Sequence, residues 1–198
     1  MKKKFMIVLL LLVLLYSAGG VTYFYLNKTN KPTIRNISSI KNYPYKLKSN
    51  ATSVMKNEFK ILKDNLENKK INEESYASSI AKLFIIDLYT ITNKFNKYDI
   101  ETGYIYPDAI DNYKLNVINT LYKYVESNEK DKRTQKLPEV TKVTIESQEP
   151  IEFKINKEKF NGYKINVIIN YLEDLEYDST SEIIVIKKGN IYYIAEKK

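Results

Sequence analysis

Cysteine, histidine and tryptophan are absent from the 198 residues, and glycine and proline number only five each. Without cysteine there is no disulfide framework, no thiolate metal site and no thiol nucleophile. Without histidine there is no imidazole zinc site, no Ser-His-Asp or Cys-His arrangement and no His-held haem. Two of the five glycines, Gly19 and Gly20, sit in an apolar run, so a Gly-rich phosphate loop is excluded as well. Acid is missing from the first quarter: residues 1–50 carry nine basic residues and no Asp or Glu. The formal charge of +8 is therefore an N-terminal property, since 51–198 holds 23 basic and 24 acidic residues, a net of −1. A near-neutral domain lacks the electrostatic footprint of phosphate binding, and nucleic acid is not an expected partner. What is present is ordinary for a globular chain, with 43% hydrophobic and 28% charged residues and 18 tyrosines. Wholesale disorder is excluded by that composition.

The chain opens with the short basic tail 1–4, containing Lys2, Lys3 and Lys4. Residues 5–26 then read FMIVLLLLVLLYSAGGVTYFYL, 22 positions without a charge. As a helix this stretch spans about 33 Å, enough to cross a bilayer. A cleaved signal peptide shares most of these features, with Ala18-Gly19-Gly20 as its small-residue site. The uncleaved anchor is favoured because the apolar character continues through Val21, Tyr23, Phe24, Tyr25 and Leu26, where aromatics suit the membrane interface. A lipoprotein is excluded, as no Cys follows. Basic residues flank both ends, and the signal-like arrangement of tail and apolar core sets the expectation of a cell-membrane protein with its domain outside the cytoplasm.

Residues 27–50 are rich in Asn, Ser, Thr and Lys, contain Pro32 and Pro44, and show no sustained period, which reads as a basic polar stalk. Its cations either lie against anionic headgroups or keep a solvated tether extended. Asn27-Lys28-Thr29, Asn36-Ile37-Ser38 and Asn50-Ala51-Thr52 match the glycosylation acceptor pattern, as an Asn-rich segment does by chance.

The domain is assigned to 51–198. Asn50 is expected to cap a first helix with Val54, Met55, Phe59, Leu62 and Leu66 on one face. Asn72 is expected to cap a second, with Glu73 and Glu74 at its positive end and a stripe through Ala77, Ile80, Phe84, Leu88, Ile91 and Phe95. Its centre is apolar on nearly every side, which predicts packing on more than one face. A third helix is expected over Asp108–Ser127, with Ile110, Tyr113, Val117, Leu121 and Tyr124 inward. The period then becomes two. Strands are expected over Val140–Glu146 and Ile151–Ile155, over a longer segment from Asn161-Gly162 through Tyr171, and over Glu182–Lys188 and Ile191–Ala195 joined by Gly189-Asn190. Helices first and strands afterwards predict an α+β domain, three helices on a curved antiparallel sheet of four or five strands.

This layout resembles the membrane-tethered branch of the nuclear transport factor 2-like, or cystatin-like, fold. The stretch Phe84-Ile85-Ile86-Asp87-Leu88-Tyr89-Thr90, with Asn93-Lys94 and Ile100-Glu101-Thr102-Gly103, resembles segments of small membrane proteins of low-GC Gram-positive bacteria. The order of anchor, stalk and domain is similar to that of bitopic assembly factors of conjugative type IV secretion. That resemblance implies an outer domain acting as an interaction scaffold and assigns no partner-binding residue.

Asp87 stands out as a carboxylate within an apolar helix. Desolvated, it is a general base candidate in a helix-sheet pocket, with Tyr89, Tyr104 and Tyr106 as lining donors. The competing assignment pairs it with Lys82 or Lys94, or turns it to solvent, and makes the tyrosines core. The acidic run Glu173, Asp174, Glu176 and Asp178 fails as a calcium loop, with Ser179 where Gly is required and Val185 where a bidentate Glu is required. It reads as a turn between strands. No catalytic residue, metal or cofactor is assigned. The leading expectation is a membrane-anchored protein-interaction scaffold in an envelope or secretion assembly; the alternative is a domain binding a small molecule or polysaccharide in a Tyr-rich pocket around Asp87. Deletion of 1–49 is expected to leave a folded domain.

Overall fold

The computed structural model describes residues 34–128 and 131–198. The expected anchor, 5–26, lies outside the described residues, and among those described no helix is long and apolar enough to cross a membrane. From Ile34 onward the chain is one compact α+β unit.

Helix α1, Ser53–Glu67, buries Met55, Phe59, Leu62 and Leu66 at three- and four-residue steps. Thr52, not Asn50, is its cap, accepting the Met55 N–H. The Asn50 side chain is used elsewhere, donating to the Asn93 carbonyl at 2.8 Å while Asn93 donates back to the Asn50 carbonyl. Helix α2, Glu73–Tyr89, is capped by Asn72 through the Ser75 N–H, as expected. It is buried nearly all round because it lies between α1 and all four strands of the main sheet. Helix α3, Ile110–Asn119, follows a 3-10 turn at Pro107–Ala109 and is shorter than expected. The chain turns after it so that the Tyr122 hydroxyl, fully inside, donates to the Leu88 carbonyl at the end of α2. Tyr124 is left 76% exposed, outside the stripe assigned to it.

The main sheet is antiparallel throughout, in the order β3 (Val140–Ile155), β4 (Glu158–Tyr171), β5 (Thr180–Lys188), β6 (Ile191–Lys197). The two strands expected on either side of Glu149-Pro150 are one 16-residue strand, β3. It lies at the sheet edge, where a residue without an N–H is tolerated. The β5–β6 hairpin turns at Gly189-Asn190, with Gly189 at φ 63°, a positive value at the first of two turn positions as a type II′ turn needs. The β3–β4 hairpin turns at Asn156-Lys157, upstream of the Asn161-Gly162 start expected for β4. Gly162 instead lies within β4 where β5 approaches closely: a Cβ there would stand 2.0 Å from the Val185 carbonyl oxygen. Along β6 the outer edge is covered by residues 104–106, whose backbone exchanges Tyr106 N–H to Ile194 O and Ile194 N–H to Tyr104 O.

Residues 34–50 correct the stalk assignment. Strands β1 (Asn36–Ser39) and β2 (Lys46–Lys48) form a hairpin that sends Ile40, Tyr45 and Leu47 into the same core as the helices. The Tyr45 hydroxyl donates to the Tyr192 carbonyl at 2.6 Å and accepts from Tyr76 at 2.7 Å, while the Tyr76 oxygen accepts the Tyr192 N–H. This closed ring of hydrogen bonds, with Tyr45 stacked on Tyr104, satisfies phenols that burial would otherwise leave unpaired. The period-two signal was lost because the strands are only four and three residues long. With the boundary at 34 the folded unit carries 27 basic and 24 acidic residues, net +3 rather than −1.

Candidate functional site

The four residues singled out from the sequence do not converge on one site. Asp87, in the last turn of α2, is paired with Lys94 at 2.7 Å, and both side chains are inside, with Lys94 2% exposed. Of the two lysines proposed as partners, Lys82 goes instead to Glu58 on α1. Tyr89 donates to the Asp178 carboxylate at 2.8 Å. Burial and that carboxylate hold its phenol above the ordinary tyrosine value. Tyr104 is stacked on Tyr45 in the core. Tyr106 belongs to a second apolar cluster with Phe160, Ile184 and Ile186, and its hydroxyl accepts from Lys188.

Asp87 and Tyr104 do share a cavity, but its volume is about 10 Å³, room for one water at most. Lys48 lines it too, bonded to Asp99 at 3.0 Å and close to Glu101 at 3.4 Å. The buried Oδ1 of Asn93 faces no donor there among the described residues. A ligand-sized, Tyr-rich pocket around Asp87 therefore does not form: the carboxylate is neutralised by a lysine, and the tyrosines are packed against one another or point elsewhere. The chemistry left is structural, a buried ion pair locking the end of α2 to the loop that follows.

That pair makes a measurable prediction. Lys94→Met leaves Asp87 charged and unpaired in the interior, which is expected to lower stability by about 3–5 kcal/mol in urea unfolding. Adding Asp87→Leu should restore most of the loss, because no charge then remains to be solvated. A Lys94→Met midpoint equal to that of the parent protein would mean that water reaches the pair.

The same loop is held by Arg133, which the sequence reading passed over. Its guanidinium donates to the carbonyls of Ile91, Thr92, Lys94 and Glu126, at 2.6 Å for Thr92. Two of these carbonyls lie just past the C-terminus of α2, where a cation complements the helix dipole.

A groove of about 530 Å³ lies between α3, the C-terminal turn of α2 and β6. Its floor is apolar, from Phe84, Leu88, Val117 and Ile194, and its rim carries Asn112, Asn116 and Glu196. Tyr89 is the one residue of the four that reaches it, where Lys197 sits 5.4 Å over its ring and 3.6 Å from Asp178. Asp178, the last acid of the run read as a turn, thus ties the β4–β5 loop to the groove wall. Sequence pattern gives no warning of this site, because its walls come from segments scattered between residues 84 and 197. Comparison with family models, with curated proteins and with solved structures yields no match, so the functional reading rests on this geometry.

Proposed function

We propose that the chain is a single-pass membrane protein, anchored through residues 5–26, whose domain outside the cytoplasm is a protein-interaction scaffold in an envelope or secretion assembly. The groove beside α3 is its contact surface. The observation that carries this reading is the composition of the groove: an apolar floor accepts a partner's aliphatic or aromatic side chains, and the amides of Asn112 and Asn116 on the rim fix their register. The engagement of Asp87 by Lys94 supports binding over acid-base chemistry, since the carboxylate is held by a cation within the core. The sheet edges favour the groove over strand addition. One edge is covered by 104–106, and the other carries two bulges, Pro150 and the charges of Lys142, Glu149 and Glu152.

A photo-crosslinking residue at Asn116, on the groove rim, is compared in native membranes with one at exposed Asn57 on the outer face of α1. A discrete protein adduct is expected from position 116, absent from 57, and suppressed by Asn112→Arg on the same rim. Identical adducts from both positions, or release of the protein from membranes by an alkaline wash, would defeat the reading.

A further inference from the structure

The placement of charge on the β1–β2 hairpin points to a second surface. The first acid in the chain is Glu58, so neither the hairpin nor the start of α1 supplies any anion. Glu58 itself is buried, accepting from Ser79 and facing Lys82. Because Ile40, Tyr45 and Leu47 are locked in the core, the hairpin cations are fixed in position instead of riding on a free tether. Lys48 is consumed by Asp99 and Glu101 at the base of the hairpin. Arg35, Lys41 and Lys46 are exposed and make no ion pair among the described residues, and Ile37, on β1 of the same hairpin, is 55% exposed.

We propose that this outer face of the hairpin docks on a bilayer rich in anionic phospholipid, with Arg35, Lys41 and Lys46 on the headgroups and Ile37 at the interface. Charge complementarity is one argument: clustered lysine and arginine beside a membrane gain roughly fivefold in partition per residue on an anionic surface. Reach is the other, and it rests on the anchor reading. Seven residues, 27–33, separate the end of the apolar run from Ile34, and seven residues span at most about 25 Å when fully extended. A tether that short lets the hairpin reach the headgroups, and the surface potential, screened within about 8–10 Å at physiological salt, then acts on the cations in contact with them.

The test uses the full chain in nanodiscs of phosphatidylcholine, alone or with about a third phosphatidylglycerol. No native cysteine interferes with a single fluorophore at Ser39→Cys, read by quenchers placed at the headgroups. Strong quenching is expected in the anionic discs only. It should be relieved by high salt and lost in the Arg35→Gln, Lys41→Gln, Lys46→Gln triple variant. Equal quenching in both lipids, or a triple variant indistinguishable from the parent chain, would overturn the proposal. If the chain fails to insert, the anchor reading falls, and sedimentation with vesicles of the same two compositions decides the docking by itself. Anionic-selective binding weakened about 100-fold in the triple variant upholds it. Equal recovery with both vesicles, or selective binding to a soluble wall-type polyanion without binding to anionic vesicles, overturns it.

Discussion

Raising the pH to about 11 is expected to unfold the domain cooperatively, with no other denaturant present. An ordinary tyrosine loses its proton near pH 10. Tyr45, Tyr76, Tyr104 and Tyr122 are each at most 2% exposed, and burial holds all four phenols above that value. Their protons are thus bound more tightly in the folded than in the unfolded chain. The stability this represents is complete below the unfolded tyrosine value and is lost as pH rises beyond it. At about pH 11 each buried phenol favours the unfolded chain by about 1.4 kcal/mol, and four together by about 5–6 kcal/mol. That is comparable with the whole stability of a typical domain, about 5–15 kcal/mol. Lys48 acts in the same direction. Burial pushes its ammonium down, but the carboxylates of Asp87, Asp99 and Glu101 outweigh this and raise it overall. Its contribution is intact below the ordinary lysine value and disappears as pH climbs through the raised one. Tyrosinate absorbance and circular dichroism, followed together, check the prediction. The buried set should appear in one step coincident with loss of the helical signal. Loss of the Tyr45, Tyr76, Tyr104 and Tyr122 protons with secondary structure intact would show that the cluster is open to water.

Truncation should locate the start of the domain just as clearly. A chain beginning at Ile34 is expected to fold, since the core is built from residues 40–194. A chain beginning at Asn50 is expected not to hold the native state. It lacks Ile40, Tyr45 and Leu47, and exposes the rings of Tyr76, Tyr104 and Tyr192 that Tyr45 covers or bonds. Loss of one large buried aromatic typically destabilises by about 3–5 kcal/mol, and each aliphatic residue adds about 2–5 kcal/mol. Those losses exceed the reserve of most domains. Urea unfolding of both fragments is the measurement. Equal midpoints would make the hairpin an appendage after all, as its stalk-like composition suggests.

The helices were legible because their burial follows a long period. Met55, Phe59, Leu62 and Leu66 announce one face, and the near-continuous apolar run 80–91 announces a helix enclosed on several sides. The Gly189-Asn190 turn was legible because only a residue tolerant of positive φ suits its first position. Pro150 misled as a break because a ladder position on an interior strand and one on an edge strand look alike in one dimension. Asp87 was legible as unusual, and two partners were named for it. Which one it takes depends on the loop after α2 folding back, with Arg133 gathering its carbonyls from 39 to 42 residues away.

Residue order alone determined the segregation of charge, the apolar run at 5–26, the exclusion of His- and Cys-based chemistry and the α+β order of elements. These are properties of composition and of short-range period, which need no knowledge of what touches what. Only the tertiary structure decided that the domain begins at Ile34, that Asp87 is spent on Lys94, and that a groove opens beside α3. Each depends on side chains far apart in the chain meeting in the interior, as Tyr45 meets Tyr192 across 147 positions, and such meetings leave no local pattern to read.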